Sequence, residues 1–362
     1  MAKRTGRRGA GLGNELIAWG KGWIASQVLR ARLVGPSWGL NQRRYDRNFG
    51  TSRLDFVLEE ALQRLPHMAF TESDYRATGE LDFGRALALW AGERGLLQRS
   101  SFIVTVEGMW GGYRAIHEAR AFLHTQLAAS RDALAKAYEI ASRLDRGKLF
   151  VAVHMRLLRD GFNTIRPGDD VRGRFNIFVP GEWYLWVCEQ LRREFGEHMQ
   201  FHFFTDKPGP EFEEAVRRFN PGQQMQSGLT ECSDLLLMTQ ADLRVCSVSS
   251  YSLAASFLSG GPYLWYEPQL TLRDGCYSLW GSEKDQRADD SPTAQATAHA
   301  AALDGADEFP GMTMRVGDGV PDGLVRMLEQ RLRAKDPRTN LLDYGAIPAA
   351  RELMEAGQAA RR

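Results

Sequence analysis

The stretch KLFVAVHMRLLRD, residues 148–160, decides the fold that we predict for this chain of 362 residues. Its apolar run predicts a buried strand over 148–155. At the end of that strand, four polar or charged residues fall within seven positions: His154, Arg156, Arg159 and Asp160. Either the strand ends at a solvated edge, or its end faces an anionic ligand. The pattern of the rest of the chain bears on that choice.

The segment 147–335 alternates between strand-like and helix-like patterns. Repeats of this length predict a parallel sheet with crossover helices, so we expect a Rossmann-like domain here. The expected strands are 148–155, 199–206, about 243–247 and 262–267, and the expected helices are 181–195, 210–219, the start of 233–248, 249–259 and 320–335.

The first part of the chain, residues 1–146, is rich in helix-period apolar faces. The pattern predicts helices over 14–34, with Asn14 as a possible N-cap, over 55–64 and over 116–144. The polar segment DRGK that follows is the candidate domain boundary.

Two further segments have little periodicity. Residues 283–308 are polar and Ala-rich and are predicted to be a surface excursion, partly disordered. Residues 336–362 are predicted to be a peripheral tail.

The bulk composition narrows the function classes. A formal net charge of +1 gives no global field that favours nucleic acid or a membrane surface. We find no transmembrane run and no signal peptide, and the cysteines Cys188, Cys232, Cys246 and Cys276 lack metal-binding spacing. We therefore expect a cytoplasmic enzyme with reduced thiols, without a metal site and without a nucleic-acid partner.

Three predicted strand ends carry polar residues suited to a phosphorylated ligand. In parallel α/β sheets, ligands bind outside the carboxyl ends of the strands. The first strand ends in His154, Arg156 and Arg159. The second ends in Thr205, Asp206 and Lys207. The third ends in a run of serines over 247–252 that opens a helix. Arginine and helix N-terminal amides bind phosphate oxygens, and a carboxylate can accept hydrogen bonds from a ribose or base.

Each of these residues also has a purely structural explanation. Serines before a helix are often N-caps, an arginine at a strand end is often a solvated surface residue, and Asp206 could simply belong to a turn. Their occurrence together on adjacent strand ends favours the ligand interpretation.

Two glycine-containing stretches are less specific. GAGLGN, residues 9–14, nearly matches a dinucleotide fingerprint, but no long apolar strand precedes it. Its glycines are expected to allow a close backbone approach at the start of the first helix. Trp110, in EGMWGGYR, either contributes a stacking surface for an acceptor or packs internally.

At these residues the chain resembles the fucosyltransferase superfamily, which includes α1,2-, α1,6- and protein O-fucosyltransferases. The likeness spans about residues 9 to 265 and is carried by five matches in the expected order. They are GAGLGNEL, VAVHMRLLRD, FVPGEWY, FFTDKP and SDLLLMTQADLRVCSVSSYSLAASFL.

The resemblance implies a GT-B architecture, with two Rossmann-like domains facing a cleft. Residues 1–146 would form the acceptor-side domain and residues 147–335 the domain that binds a nucleotide sugar. It also implies inverting, metal-independent transfer from a GDP-sugar, with no further cofactor. Asp160 comes one residue later than in the family's His-x-Arg-Arg-x-Asp motif. Because that loop contacts the sugar and the acceptor in the family, the transferred sugar would be fucose or a related hexose.

The resemblance also implies roles for individual residues. Arg156 would bind the donor diphosphate and His154 would orient it, while the other donor-binding residues would be Gly11, Gly13, Asn14, Thr205, Asp206, Asp234, Ser249, Ser250 and Tyr251. A general base could activate the acceptor hydroxyl. Four candidates for it remain open: Asp160, Asp169, Asp170 and, from the first domain, Glu107.

Two other functions remain open at this stage. The enzyme could use a dTDP- or UDP-sugar, or the chain could bind a nucleotide sugar without catalysis. In every case one partner is a nucleotide sugar, and for an enzyme the other is a small-molecule or glycan acceptor.

Overall fold

The structure is a computed structural model. It describes residues 11–36, 38, 45–49, 53–80, 82–106, 108–158, 163–164, 177–223, 231–266, 272–273, 276–277 and 311–335. Several predictions fall outside these ranges: the candidate bases Glu107, Asp160, Asp169 and Asp170, the excursion 283–308 and the tail 336–362.

The fold is mixed α/β and is built around a seven-stranded sheet in the order β6-β3-β7-β8-β11-β10-β9. The strands from β6 to β11 in that order are parallel, and β10 pairs antiparallel with both β11 and β9. The described strands are β1 Met68–Phe70, β2 Val104–Val106, β3 Leu149–Met155, β4 Asn163–Thr164, β5 Ile177–Phe178, β6 Met199–Thr205, β7 Leu243–Cys246, β8 Tyr263–Tyr266, β9 Leu272–Arg273, β10 Cys276–Tyr277 and β11 Gly311–Met314.

Helices cover the sheet and make up most of the first half of the chain. The described helices are α1 Leu12–Val28, α2 Asp46–Phe49, α3 Arg53–Arg64, α4 Glu72–Ala77, α5 Phe83–Glu93, α6 Gly112–Ala115, α7 Arg120–Ala128, α8 Arg131–Ala141, α9 Gly181–Phe195, α10 Pro210–Phe219, α11 Glu231–Thr239, α12 Ser250–Ser259 and α13 Asp322–Arg333. Short 3-10 turns lie at Leu96–Gln98, His117–Ala119 and Gly196–His198.

The predicted alternation in the second half is confirmed. Strand β3 is buried at all seven positions, as its continuous apolar run requires of a central parallel strand covered on both faces. Strand β11 was missed, because GMTM is short and follows a segment without periodicity.

Two helix predictions in the first half need correction. Helix α1 begins at Leu12, its N-cap is Gly11, and Asn14 lies inside the helix rather than capping it. The helix ends at Val28, six residues early, because Arg30 adopts a left-handed backbone conformation with φ 49°. The predicted helix over 116–144 is divided, since Ser130 takes an extended conformation and starts α8 as its N-cap.

The described part of the first half also contains two strands that the sequence did not reveal. Strands β1 and β2 are parallel and pair Met68 with Val104. At three residues each, they are too short for a period to show. The division into two Rossmann-like domains stays a prediction.

The core is continuous from α1 through the large sheet to α13. Helix α1 packs on both α5 and α12, so the first helix of the chain contacts the sheet's own crossover helix. The cysteines Cys188, Cys232 and Cys246 are free thiols in this core. Within the described ranges, no helix has the length and apolar character needed to cross a membrane.

Candidate functional site

The carboxyl ends of β3 and β7 form a topological switch point. After β3 the chain crosses to β6 on one side, then returns through α10 and α11 to β7 on the other side. The connection that leaves β3 runs through α9 to β6, whereas the connection that leaves β7 runs through α12 to β8 on the opposite side. This divergence places a crevice between the carboxyl ends of β3 and β7. Such a crevice is where open α/β sheets bind their ligands.

His154 joins the two strands at this crevice. Its Nδ1 lies 2.9 Å from the Ser247 hydroxyl oxygen, just after β7, and 2.6 Å from that of Ser252 in α12. Burial lowers the pKa of His154 to about 4, so the imidazole is neutral at pH 7. A neutral His154 can fix the position of the α12 N-terminus but supplies no positive charge to a ligand.

Arg156 and Asp206 face each other across the ends of β3 and β6. Arg156 Nε lies 3.4 Å from Asp206 Oδ2, and the two side chains are 25% and 22% exposed, so solvent reaches the pair. Asp206 Oδ1 accepts hydrogen bonds from the backbone N–H groups of Leu157 and Leu158, at 2.8 and 3.1 Å. The carboxylate thus shapes the loop after β3 and orients the guanidinium, while its predicted contact with a nucleoside stays a prediction.

A pocket of ≈230 Å³ lies beside this pair. Leu157, Phe178 and Pro208 give it apolar walls, and Lys207 and Glu211 give it polar ones. Thr205 closes the turn that leads into the pocket, since its hydroxyl donates to the Lys207 carbonyl at 3.0 Å.

The N-terminus of α12 opens onto the same crevice. Ser249 is the N-cap, and its hydroxyl accepts from the Tyr251 backbone N–H at 3.2 Å. The predicted capping role is therefore confirmed. The first-turn amides of α12 lie at the strand ends, and they carry the positive end of the helix dipole. The Tyr251 hydroxyl donates to the Glu231 carbonyl and anchors this turn to α11.

Gly13 brings the first helix onto this turn. A Cβ at position 13 would lie 2.5 Å from the Ser250 carbonyl carbon and 2.8 Å from the Tyr251 nitrogen, which is closer than real contacts allow. Tyr113 donates its hydroxyl toward the Gly13 carbonyl at 2.8 Å and the Ser250 carbonyl at 3.0 Å. The predicted close backbone approach is confirmed at Gly13. By contrast, a Cβ at Gly11 would meet nothing within 4 Å.

Asp234 lies behind the site on α11. Burial and the nearby Glu231 carboxylate raise its pKa to about 7, against an opposing effect of Lys136. Its Oδ1 is buried and has no hydrogen-bond partner among the described residues. Asp234 therefore lies on α11 and not at a strand end. The supporting role that the resemblance implies for it stays a prediction.

Trp110 lies in an aromatic cluster of the first half. The Lys21 Nζ sits 3.3 Å from the centroid of its ring, and Phe70, Tyr75 and Phe83 surround it. The internal packing that the sequence allowed is thus observed, and a role of Trp110 in acceptor binding stays a prediction.

Sequence reasoning missed two tyrosines at the site. Tyr184 is fully buried on α9, and burial raises the pKa of its hydroxyl well above the usual value, with Cys246 and Asp206 adding to this effect. Its only signal was the motif FVPGEWY. Tyr113 follows a pair of glycines and gave no signal at all. Among the residues that the structure describes, no three His, Cys, Asp or Glu side chains are grouped as a metal would require.

Comparisons with known proteins give no family. No protein-family model matches the chain. No curated protein matches it. Among solved structures, it is similar at 11% identity and a TM-score of 0.28 to the wall teichoic acid polymerase TagF, over 86% of this chain and 63% of that one. A substituted variant of the same polymerase gives 11% identity and a TM-score of 0.26, over 67% of this chain and 51% of that one. The chain thus spans less than two thirds of the length of these polymerase chains.

Proposed function

We propose that this protein is an inverting glycosyltransferase that moves a sugar from a GDP-sugar to a hydroxyl group of a small-molecule or glycan acceptor. The observation that carries the proposal is that Arg156, just after β3, and the Ser249-capped helix α12, which follows β7, lie at the carboxyl ends of two neighbouring parallel strands. A guanidinium and helix-terminal amides together are suited to a diphosphate.

In the proposed reaction, the acceptor oxygen attacks C1 of the donor sugar. The bond from C1 to the β-phosphate oxygen breaks, its electron pair stays on that oxygen, and the acceptor proton passes to a carboxylate base. Negative charge therefore grows on the diphosphate, and Arg156 with the amides of α12 would stabilise it without a metal ion. Asp160, Asp169, Asp170 and Glu107 remain the candidate bases, all outside the described residues.

The pocket of ≈230 Å³ beside Arg156 supports a guanine base in particular. Guanine presents two adjacent N–H donors, N1 and N2, and a carboxylate accepts such a pair through both oxygens. Glu211 lines the pocket and makes no ion pair with any described residue. Phe178 and Leu157 would cover the faces of the ring. Uracil and thymine have a single N–H donor, so this pocket favours GDP over UDP or dTDP.

Ligand-dependent thermal stability tests the nucleotide. GDP is expected to raise the melting temperature, whereas UDP and dTDP at equal concentration are expected to raise it little, because only a ligand that binds the folded chain stabilises it. In Glu211→Gln the preference for GDP should shrink, while Glu213→Gln on the same helix should leave it unchanged. An equal shift with all three nucleotides in the unsubstituted protein would remove GDP from the proposal.

Product analysis tests the reaction itself. GDP-fucose and GDP-mannose, presented with candidate acceptors, should yield free GDP and a product heavier by one hexose or deoxyhexose residue. The yield should persist in a chelator, since no divalent ion takes part in the proposed step. Nucleotide binding without any product would favour a binding protein over an enzyme.

A further inference from the structure

We infer that a second anion-binding site, distinct from the switch-point crevice, lies at the far end of α1 and takes a phosphorylated ligand. A cavity of ≈730 Å³ opens there between the end of α1 and the segment that leads into β2. Helix α1 has 17 residues, so this cavity lies about 25 Å from Gly13 and the crevice.

The lining of the cavity is strongly basic. Arg30, Arg32 and Arg99 contribute three guanidinium groups, Ser100 and Ser101 add hydroxyls, and no carboxylate is among the lining residues. None of the three arginines forms an ion pair with a described carboxylate. In a chain with 46 basic and 45 acidic residues, such a local excess of positive charge favours a multiply charged anion.

The backbone at Arg30 is an independent observation. The Ala31 N–H donates to the Ser26 carbonyl at 2.9 Å and the Arg30 N–H to the Gln27 carbonyl at 3.3 Å, which is the Schellman arrangement of a helix end. Arg30 occupies the left-handed position of that motif, with φ 49°. Glycine is the unstrained residue there, whereas an arginine that lines the cavity takes this conformation at an energetic cost.

The lining of the cavity also includes apolar side chains. They come from Val28, Leu29, Leu97 and Phe102, and Leu97 is 52% exposed. A ligand that carries both a phosphate group and an apolar or ring-containing part would use both surfaces. A soluble phosphate ester and a lipid headgroup share this chemistry.

The substitution Arg30→Gly separates ligand binding from folding. Glycine relieves the left-handed strain, so the variant should keep or raise the melting temperature while it loses one guanidinium. Arg143→Ser serves as the matched control, because Arg143 is exposed, pairs with Glu139 and lies in the turn that follows α8.

Calorimetric titration with pyrophosphate tests the site. All variants are made in an Arg156→Gln background, which removes the charge proposed to bind a diphosphate at the crevice. We expect saturable binding that weakens about tenfold in Arg30→Gly, disappears in the triple variant Arg30→Gly, Arg32→Ser, Arg99→Ser, and is unchanged in Arg143→Ser. Equal affinity of the triple variant and the control would overturn the inference.

Vesicle sedimentation separates the two sources of phosphate. Binding to phosphatidylcholine vesicles that contain phosphatidic acid, but not to pure phosphatidylcholine, supports a lipid headgroup if the triple variant loses it. Pyrophosphate binding without vesicle binding supports a soluble ligand. Absence of both in the Arg156→Gln protein refutes the site, and this result is independent of whether GDP binds at the crevice.

Discussion

Gly13 and Ser250 touch backbone to backbone, although 237 positions separate them in the chain: a Cβ on Gly13 would lie 2.5 Å from the carbonyl carbon of Ser250. This contact places the first helix directly on the turn that starts α12. It makes the start of the chain part of the proposed donor site, and it accounts for the glycine without any dinucleotide fingerprint.

The substitution Gly13→Ala should therefore push α1 away from α12. The obstructing atoms are backbone atoms, which cannot rotate aside, so we expect a loss of about 1–3 kcal/mol in the free energy of unfolding, as for other overpacked sites. GDP binding should weaken as well, because the α12 turn moves. Chemical denaturation and GDP titration measure the two effects.

Gly11→Ala is the matched control for this substitution. Gly11 lies two residues away, has φ −62°, and has room for a methyl group. The variant should lose no more than about 1 kcal/mol of stability, the difference between glycine and alanine at the N-cap of α1, and less than Gly13→Ala. Equal losses at positions 11 and 13 would contradict the role assigned to the contact.

Tyr113→Phe removes the hydroxyl that serves both carbonyls of this contact. The Gly13 and Ser250 carbonyls then lose the hydroxyl hydrogen that they share, so the free energy of unfolding should fall by about 0.5–1.5 kcal/mol. Tyr138→Phe is the control, since Tyr138 is half-buried and its hydroxyl has no described partner. If both variants unfold at the same denaturant concentration as the unsubstituted protein, the Tyr113 hydroxyl contributes nothing.

Asp234 should make stability depend on pH. Below its ordinary pKa of 3.8 the carboxyl group is protonated in both the folded and unfolded chains. Between 3.8 and about 7 only the unfolded chain releases the proton, so the contribution of Asp234 to folding falls as the pH rises through this window. Asp234→Asn removes the effect. It should gain stability relative to the unsubstituted protein, by up to about 4 kcal/mol at pH 8.

Urea unfolding of both proteins at pH 4.5, 6 and 8 measures this difference. If Asp234→Asn instead becomes less stable than the unsubstituted protein as the pH rises, the fold stabilises the carboxylate. A flat difference would mean that solvent reaches it.

The strand ends of the second half could be predicted because their chemistry is local. The long apolar run of β3 and the serines before α12 each define a position at the carboxyl edge of a parallel sheet, and a parallel sheet brings such edges together. The contacts made by Gly13 and Tyr113 could not be predicted, because they depend on how distant helices pack. The end of α1 was also missed, since Arg30 takes a conformation that its residue type rarely adopts.

The neutral state of His154 is a further feature that only the structure reveals. A histidine before an arginine suggests two positive charges at a strand end, but burial between Ser247 and Ser252 keeps the imidazole uncharged. Among the described residues that follow β3, the positive charge therefore rests on Arg156.

Calorimetric titration of GDP into the unsubstituted protein, Arg156→Gln and the control Arg143→Gln tests this assignment most directly. We predict saturable GDP binding in the unsubstituted protein and the control, and affinity at least about tenfold weaker in Arg156→Gln, since a charged hydrogen bond is worth about 1.5–3 kcal/mol. Circular dichroism before each titration verifies that Arg156→Gln is folded. Undiminished GDP affinity in folded Arg156→Gln would contradict the account.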